Sequence, residues 1–551
     1  VWLGNDHGAG GGELSDGDWS ALGRGFYAVT ALALLGLIGL AAPAATAGVI
    51  CLDKARGNLT LLFTTDLSDT EIVLGKLAAR LTPVLGLIGC ATPVLFVSTI
   101  FGGVDPAVVW GAILDCVACA VFGCTLALAL SVWGRKTHEV LLATYAFGIF
   151  WLLLAPMWAG LVSIVPWWAR PDWLPGTLAL LPYNPIFLVL APLESPRVAG
   201  QIGTDMHASF FTLGLVTSAL MAAVATWRIR AVVIRQAGQG ESARWSVGRG
   251  AFAWLLPTPS LDDDPVLWRE WHRRRPSRWS VAVWGLFGML SVLFGLWGVV
   301  CALGGGGPGG RDIGAVISGA HVAAGLLLLS VSAATSLAEE RQRGCLDVLL
   351  ATPLSTRSIV LGKWRGAFRG VWPLLVLPIL ISAALVTRTG IILGPVLIGG
   401  LVVAYGATIT SLGLALATWL PRMGRVIALT AGLYLVVLIT AIPLGMIFLG
   451  DGPNQAGQGF ASASPFWGVG YSSALFAGTG GPRSEVGMQV VWLVLWIVAY
   501  GLVAWGLRLA TLATFNRCLG RMDGKVSREG RLPHDERRPA SGAPQAEPAL
   551  E

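Results

Sequence analysis

Charge is what this chain has least of. Asp, Glu, Lys and Arg make up 13% of its 551 residues, and 54% are hydrophobic; an average soluble domain is roughly 25% charged. So little charge excludes a solvated surface of ordinary extent. Eight cysteines are present, but beyond Cys116, Cys119 and Cys124 inside one apolar run they do not cluster, which argues against a disulfide framework and against a zinc site. Six histidines (His7, His138, His207, His272, His321, His534) form no His-x3-His pair. A phosphate-cradling loop is missing as well. Gly75-Lys76 and Gly362-Lys363 are followed by Leu77 and Trp364 instead of Ser or Thr, and the upstream glycine is absent. No catalytic, cofactor-binding or metal-binding constellation can be read, so the expectation is a chain that is not an enzyme.

Long apolar runs, by contrast, are abundant. Eleven approach the ~20 residues needed to cross a bilayer: 26–50, 81–101, 107–132, 140–165, 206–227, 280–302, 314–338, 371–387, 391–420, 425–449 and 488–507. Unbroken segments rich in Leu, Ala, Val and Gly fit helices and not the alternating strands of a barrel. The fold expected is an all-α polytopic membrane protein.

Within it the sequence repeats. Val73-Leu74-Gly75-Lys76 returns 287 positions later as Val360-Leu361-Gly362-Lys363, and Lys54-x-Arg56-Gly57-x-Leu59 returns as Arg341-x-Arg343-Gly344-x-Leu346. Leu67-Ser68 answers Leu354-Ser355, and Arg135 answers Arg422. The spacing then drifts, with Asn184-Pro185 facing Ser464-Pro465 and Arg228 facing Arg508. A period this long is that of a whole membrane domain, not of a solenoid. The organisation read is a first unit at 1–235 with about five spans, a cytoplasmic linker at 236–263, a second unit at 264–520 with six spans, and a disordered tail at 521–551. Unit two opens with Asp264-Pro265-Val266-Leu267-Trp268-Arg269-Glu270-Trp271, a basic cluster (Arg273, Arg274, Arg275, Arg278) and the span 280–302. Subtracting 287 sets the counterparts of 264–303 at −23 to 16, so the first helix of unit one is missing. The expectation is that coding sequence upstream of Val1 supplies it.

Lys and Arg give the orientation. If 51–80 is cytoplasmic, alternation of the spans puts 32 of the 38 basic residues inside and leaves Arg24, Arg170, Arg197, Arg311, Arg388 and Arg483 outside. That split follows the positive-inside rule and puts the C-terminus in the cytoplasm. The net charge of +7 is then the ordinary signature of loops facing anionic lipid, with no nucleic-acid partner implied.

Two inner loops carry the most pattern. In the second, Leu346, Leu349 and Leu350 fall at i, i+3 and i+4 behind Glu340, Arg343 and Gly344, so one helix face is apolar; Pro353 stops the helix and Ser355 caps the next. The first keeps Leu59, Leu62 and Phe63 and then Ser68-x-x-Glu71, a capping-box spacing. Each loop therefore reads as a short amphipathic helix, a turn, and a helix that runs on into the next span. Such a helix can lie on lipid headgroups or dock a cytoplasmic partner.

At these residues the chain resembles the permease subunits of ABC-2 type ATP-binding-cassette exporters. The resemblance rests on Glu340-x-x-Arg343-Gly344-x-Leu346-x-x-Leu349-Leu350-x-Thr352-Pro353-Leu354-Ser355, on Ile359-Val360-Leu361-Gly362-Lys363 and on Asp264-Pro265-Val266-Leu267-Trp268-Arg269-Glu270, and it runs through 26–515. Unit one departs at Asp66, where proline is usual in the family. The resemblance implies a tandem repeat of two ABC-2 (type V exporter-like) six-helix transmembrane domains, in a bacterial inner membrane. It implies an interfacial lead-in helix at Pro265, Leu267, Trp268, Arg269 and Glu270. It implies coupling helices at Lys54, Arg56, Gly57, Leu59, Leu62 and Phe63 and at Glu340, Arg343, Gly344, Leu346, Leu349 and Leu350. Those helices would seat a separate ABC ATPase, in two copies, that binds ATP and Mg. The segments 166–205 and 450–487 (with Trp167, Trp168, Trp173, Phe466, Trp467 and Tyr471) would be re-entrant.

Two other classes stay open. One is an ion-coupled secondary transporter, whose best residue is Asp115, about 12 Å along its run at 1.5 Å per residue. Its repeat counterpart is Val402, no basic partner is evident, and His321, opposite Leu34, is equally isolated. The other is a membrane scaffold or sensor that keeps the permease fold without transport. An ATPase gene beside this one would separate the exporter from both.

Overall fold

The computed structural model describes residues 16–134, 136–164, 176, 179–190, 204–238, 264–272, 278–303, 307–342, 344–389, 392–449, 456–478 and 483–520. Arg135, Arg273 to Arg275, Arg343, Trp167, Trp168, Trp173, the glycine-rich opening, most of the linker and the tail lie outside the described residues. Among the described residues every regular element is a helix.

The first half comprises α1 (Asp16–Thr46), α2 (Val49–Arg56), α3 (Asn58–Leu62), α4 (Asp69–Ile100), α5 (Pro106–Trp133), α6 (Thr137–Ile164), α7 (Pro185–Leu190) and α8 (Thr204–Gly238). In the second are α9 (Pro265–His272), α10 (Arg278–Leu303), α11 (Gly307–Gln342), α12 (Cys345–Leu350), α13 (Thr356–Phe368), α14 (Trp372–Thr389), α15 (Leu393–Trp419), α16 (Met423–Leu449), α17 (Ala456–Ala461), α18 (Pro465–Phe476) and α19 (Arg483–Leu519). Eleven stretches among the described residues are long and apolar enough to cross a membrane, from Leu22–Lys54 to Glu485–Leu519, and each overlaps one of the eleven runs read from sequence. Boundaries move where helices outrun the bilayer. The run at 371–387 belongs to a longer span, Thr356–Leu385, in which α13 passes through a 3-10 turn at Arg369–Val371 into α14.

With every backbone group satisfied inside its own helix, packing between spans falls to small residues that let backbones approach. A Cβ on Gly413 of α15 would come within 2.9 Å of the Ala334 backbone nitrogen in α11, and one on Gly36 of α1 would meet Ile439 of α16 at 2.8 Å. The largest apolar cluster straddles the two halves, joining Leu40, Ala47, Leu141 and Tyr145 to Val331, Ala334, Leu414 and Val426. Helix α1 packs on α16, and α6 on α10 and α11. The two halves therefore meet through spans, not through loops alone.

Before each last span lie helices too short to cross. α7 begins at Pro185, with Asn184 Oδ1 accepting from the Ile186 and Phe187 nitrogens and its Nδ2 donating to Leu152 O at 2.9 Å. α18 begins at Pro465 and lies against α11, so close that a Cβ on Gly319 would fall 2.4 Å from Phe466 O. Proline at the first helical position explains both starts, since its missing N–H would have no partner there anyway.

Candidate functional site

The two inner loops fold by one device. α2 ends at Gly57, whose φ of +74° turns the chain into α3, and Gly344 does the same with φ +69° ahead of α12. Only glycine holds that left-handed conformation without strain. α4 then opens at Ser68 with the full capping box: Ser68 Oγ accepts from Glu71 N while the Glu71 carboxylate accepts from Ser68 N at 2.8 Å. Ser355 Oγ accepts from Ser358 N at 3.1 Å to open α13. The helix–turn–capped-helix order expected from the sequence is present in both loops.

Lys54 and Arg341 have a role the sequence did not reveal. Lys54 Nζ donates to Val132 O (2.9 Å) and Gly134 O (2.5 Å), at the end of α5. Arg341 donates to Thr418 O (3.2 Å) and Leu420 O (3.3 Å), at the end of α15. Each cation satisfies carbonyls at a helix C-terminus, where the helix dipole favours positive charge. Each loop is thus latched to a later span of its own half, Pro106–Trp133 in the first and Leu393–Trp419 in the second. Arg56 is exposed to solvent.

In the repeated Gly-Lys pair, the lysine makes an ion pair in both halves, and the glycine answers close packing in the second alone. Lys76 pairs with Asp53. Lys363 pairs with Glu340 at 2.6 Å and with Glu270 of α9 at 2.5 Å, and only 1% of its side chain is exposed. Arg269 of α9 lies 3.9 Å from Glu340, and Arg365 donates to Asp264 at 3.0 Å. Gly362 makes room for this helix, since a Cβ there would meet Val266 at 2.8 Å. The lead-in segment Pro265–Glu270 is therefore bound to α13, with Val266 buried and Pro265, Leu267 and Trp268 half-buried. A sequence signal existed: Asp53 and Glu340 stand 287 apart, as Lys76 and Lys363 do.

The apolar faces of α3 and α12 point the other way from the one expected. Leu59 (1% exposed), Leu346 (2%) and Leu349 (5%) are buried in the protein's own core. Leu59 joins Ile72, Val73 and Ile229, with Leu62 and Phe63 partly buried beside them. Leu346 and Leu349 join Ile359, Val360 and Phe515, with Leu350 packed against them. The i, i+3, i+4 stripe is thus an intramolecular face, because the helix after each turn folds back over it. What faces solvent is Leu61 (68% exposed) and Val348 (73%), again 287 positions apart.

An ionic cluster joins the halves at the same end. Glu339 of α11 lies 3.6 Å from Lys136 and 3.1 Å from His138 of the first half.

Inside the spans, Asp115 does have a basic partner, contrary to the sequence reading. His207 Nδ1 of α8 lies 2.7 Å from Asp115 Oδ2, 92 residues away in the chain, where no local spacing could expose it. His321 Nδ1 lies 3.0 Å from Ser291 Oγ, and its ring stacks on Phe287 with centroids 5.0 Å apart. No group of three or more His, Cys, Asp or Glu able to hold a metal occurs among the described residues.

Among the described residues, eleven helical spans long and apolar enough to cross a membrane make this a multi-pass membrane protein. Residues 312–505 match the family described as ABC-2 family transporter protein. The matched region runs from α11 through most of α19 and supports a membrane permease of ABC-type transport. Permeases of this family generally work with an ABC ATPase. No curated protein matches the sequence.

Proposed function

We propose that the chain is a fused pair of ABC-2 permease units that forms the translocation pathway of an exporter in a bacterial inner membrane, with its C-terminus in the cytoplasm. α3 and α12 each seat one copy of a separate ATPase, which supplies the ATP and Mg site this chain lacks. The observation that carries this reading is duplication of a rigid, presented device. In each half a left-handed glycine, a short helix and a serine cap hold one bare aliphatic side chain, Leu61 or Val348, out to solvent. The buried leucines behind it and the Lys54 or Arg341 latch tie that tip to the spans. A push on the tip is thereby transmitted to α5 or α15 instead of being lost in a flexible loop.

Burying an exposed aliphatic side chain at a contact contributes roughly 1.5–3 kcal/mol, whereas burying an unpaired charge there opposes binding. The test is to co-express the full chain with candidate ABC ATPases from the same genome. Leu61→Asp together with Val348→Asp is expected to abolish co-purification and stimulated ATP hydrolysis while leaving the unfolding midpoint of the permease unchanged. Wild-type association of that double variant would overturn the docking reading. Leu349→Asp with Leu350→Asp, in contrast, is expected to lower the unfolding midpoint, because it places charge in the core behind α12.

A further inference from the structure

The first half contains a polar cluster that its counterpart positions lack. Asp115 of α5 is fully buried, and the residues beside it in the helix, Ile113 and Cys116, belong to an apolar cluster with Tyr27, Ala31, Leu34 and Val189. Its Oδ2 is held by His207, whose side chain is 6% exposed. Its other oxygen, Oδ1, is buried with no hydrogen-bond partner, and so is the hydroxyl of Tyr27 on α1. Tyr27 is 0% exposed and lies within electrostatic reach of Asp115 and Cys116. The imidazole is held in place by Gly111, where a Cβ would come to 2.7 Å from Cδ2 and 2.8 Å from Nε2. At the repeat spacings Tyr27, Asp115 and His207 correspond to Gly314, Val402 and Gly487, so the fused pair has one such cluster.

Its protonation follows from the geometry. A neutral imidazole donates Nδ1–H to Oδ2, which leaves Oδ1 of an ionised carboxylate facing apolar side chains with no donor. An uncompensated charge at that depth is expensive. One further proton, carried on Oδ1, takes the cluster from a net charge of −1 to zero and gives Oδ1 a hydrogen to donate towards the Tyr27 hydroxyl, directly or through one water. We propose that Asp115, His207 and Tyr27 form a binding site for a single exchangeable proton, carried on Asp115 Oδ1, in the first half of the chain. Other titratable groups near it are few. α5 brings Cys116 and Cys119, and α8 brings Asp205, which is exposed at the helix start. The α7-proximal part of α4 offers only Cys90, which is exposed. α7 has no titratable side chain, those of α6 (His138, Glu139 and Tyr145) lie towards its other end, and α1 adds Arg24 beyond Tyr27. No described cation is hydrogen-bonded to Oδ1, so the proton itself is the neutralising ligand.

The site is independent of ATPase docking and is tested without a partner. Infrared difference spectra of the purified full chain, recorded as pH is stepped from about 5 to about 9, should show the band of a buried protonated carboxyl that disappears as pH rises. Asp115→Asn, which is isosteric, should remove the band with little change in the unfolding midpoint. Tyr27→Phe should move the band to higher frequency by removing its hydrogen-bond partner. Gly111→Ala, which displaces the imidazole without altering any titratable group, should shift the midpoint of the titration. Absence of the band throughout would mean a permanent ion pair, and a band that never titrates would mean a permanently neutral hydrogen bond. Either result overturns the proposal.

Discussion

Lys76 and Lys363 occupy the same place in their two halves and live in different surroundings. Lys76 pairs with Asp53, and about a fifth of each side chain is exposed. Lys363 has two carboxylates, Glu340 and Glu270, and is almost wholly buried. The neighbouring glycines differ in the same sense: nothing lies within 4 Å of a Cβ built on Gly75, while one built on Gly362 strikes Val266. A single element accounts for both differences. α9 lies across α13, and no described helix lies across the start of α4 in that way. The spans that lead into the two loops show the same contrast on a larger scale. The apolar window of Leu22–Lys54 is 39% buried and that of Gly314–Arg341 is 72% buried, because α11 is flanked by α10, α14 and α18. The same short motif thus gives a partly exposed ion pair in one half and a buried one in the other.

The largest expected effect that tests this comparison comes from removing the cation. Lys363→Met removes the buried cation shared by the carboxylates of Glu270 and Glu340 and should cost about 3–5 kcal/mol; Lys76→Met removes an ion pair in partial contact with water and should cost no more than ~1 kcal/mol. Thermal unfolding of the two variants in the same detergent measures the difference, and equal shifts would show that burial by α9 is not what separates the sites. Next comes alanine at the paired glycines, where the sign should invert. Gly362→Ala pushes Val266 away and should destabilise by about 1–3 kcal/mol, with new protease sensitivity near α9. Gly75→Ala meets nothing and should stabilise its helix by roughly 0.5–1 kcal/mol. The smallest effect belongs to the caps, which the two halves share. Ser68→Ala and Ser355→Ala should each cost about 1 kcal/mol, with Ser68 the larger because its hydroxyl also donates to the Glu71 carboxylate at 2.7 Å. Equal losses would show that this second side-chain bond adds nothing to the cap.

The rank order of these effects also separates what could be read in the chain from what could not. Capped turns, left-handed glycines and the eleven spans were legible because each depends on residues a few positions apart. The orientation of α3 and α12 was misread for a definite reason. An i, i+3, i+4 stripe states that one face is apolar, but does not say whether lipid, a partner or the protein's own next helix covers it. Leu59, Leu346 and Leu349 are covered by the next helix. The exposed positions, Leu61 and Val348, carried no periodic signal and emerge only once the burial of their neighbours is known. His207 stayed unconnected to Asp115 for a similar reason: the contact spans 92 residues and joins two helices whose rotation about their axes the sequence does not fix.

Sequence by itself determined the solvent, since a chain with 13% charged residues cannot hydrate a surface of this size and must surrender its apolar runs to lipid. It determined the number of spans, their helical state and the spacing at which the pattern recurs, because those follow from backbone hydrogen bonding in a medium without water and from residue order alone. Only the tertiary structure decided which of two matching lysines is buried, which face of α3 and α12 looks outward and which histidine meets Asp115. Those outcomes depend on what else is packed alongside, and neighbours in space are set by the docking of whole helices and not by the residues that precede and follow.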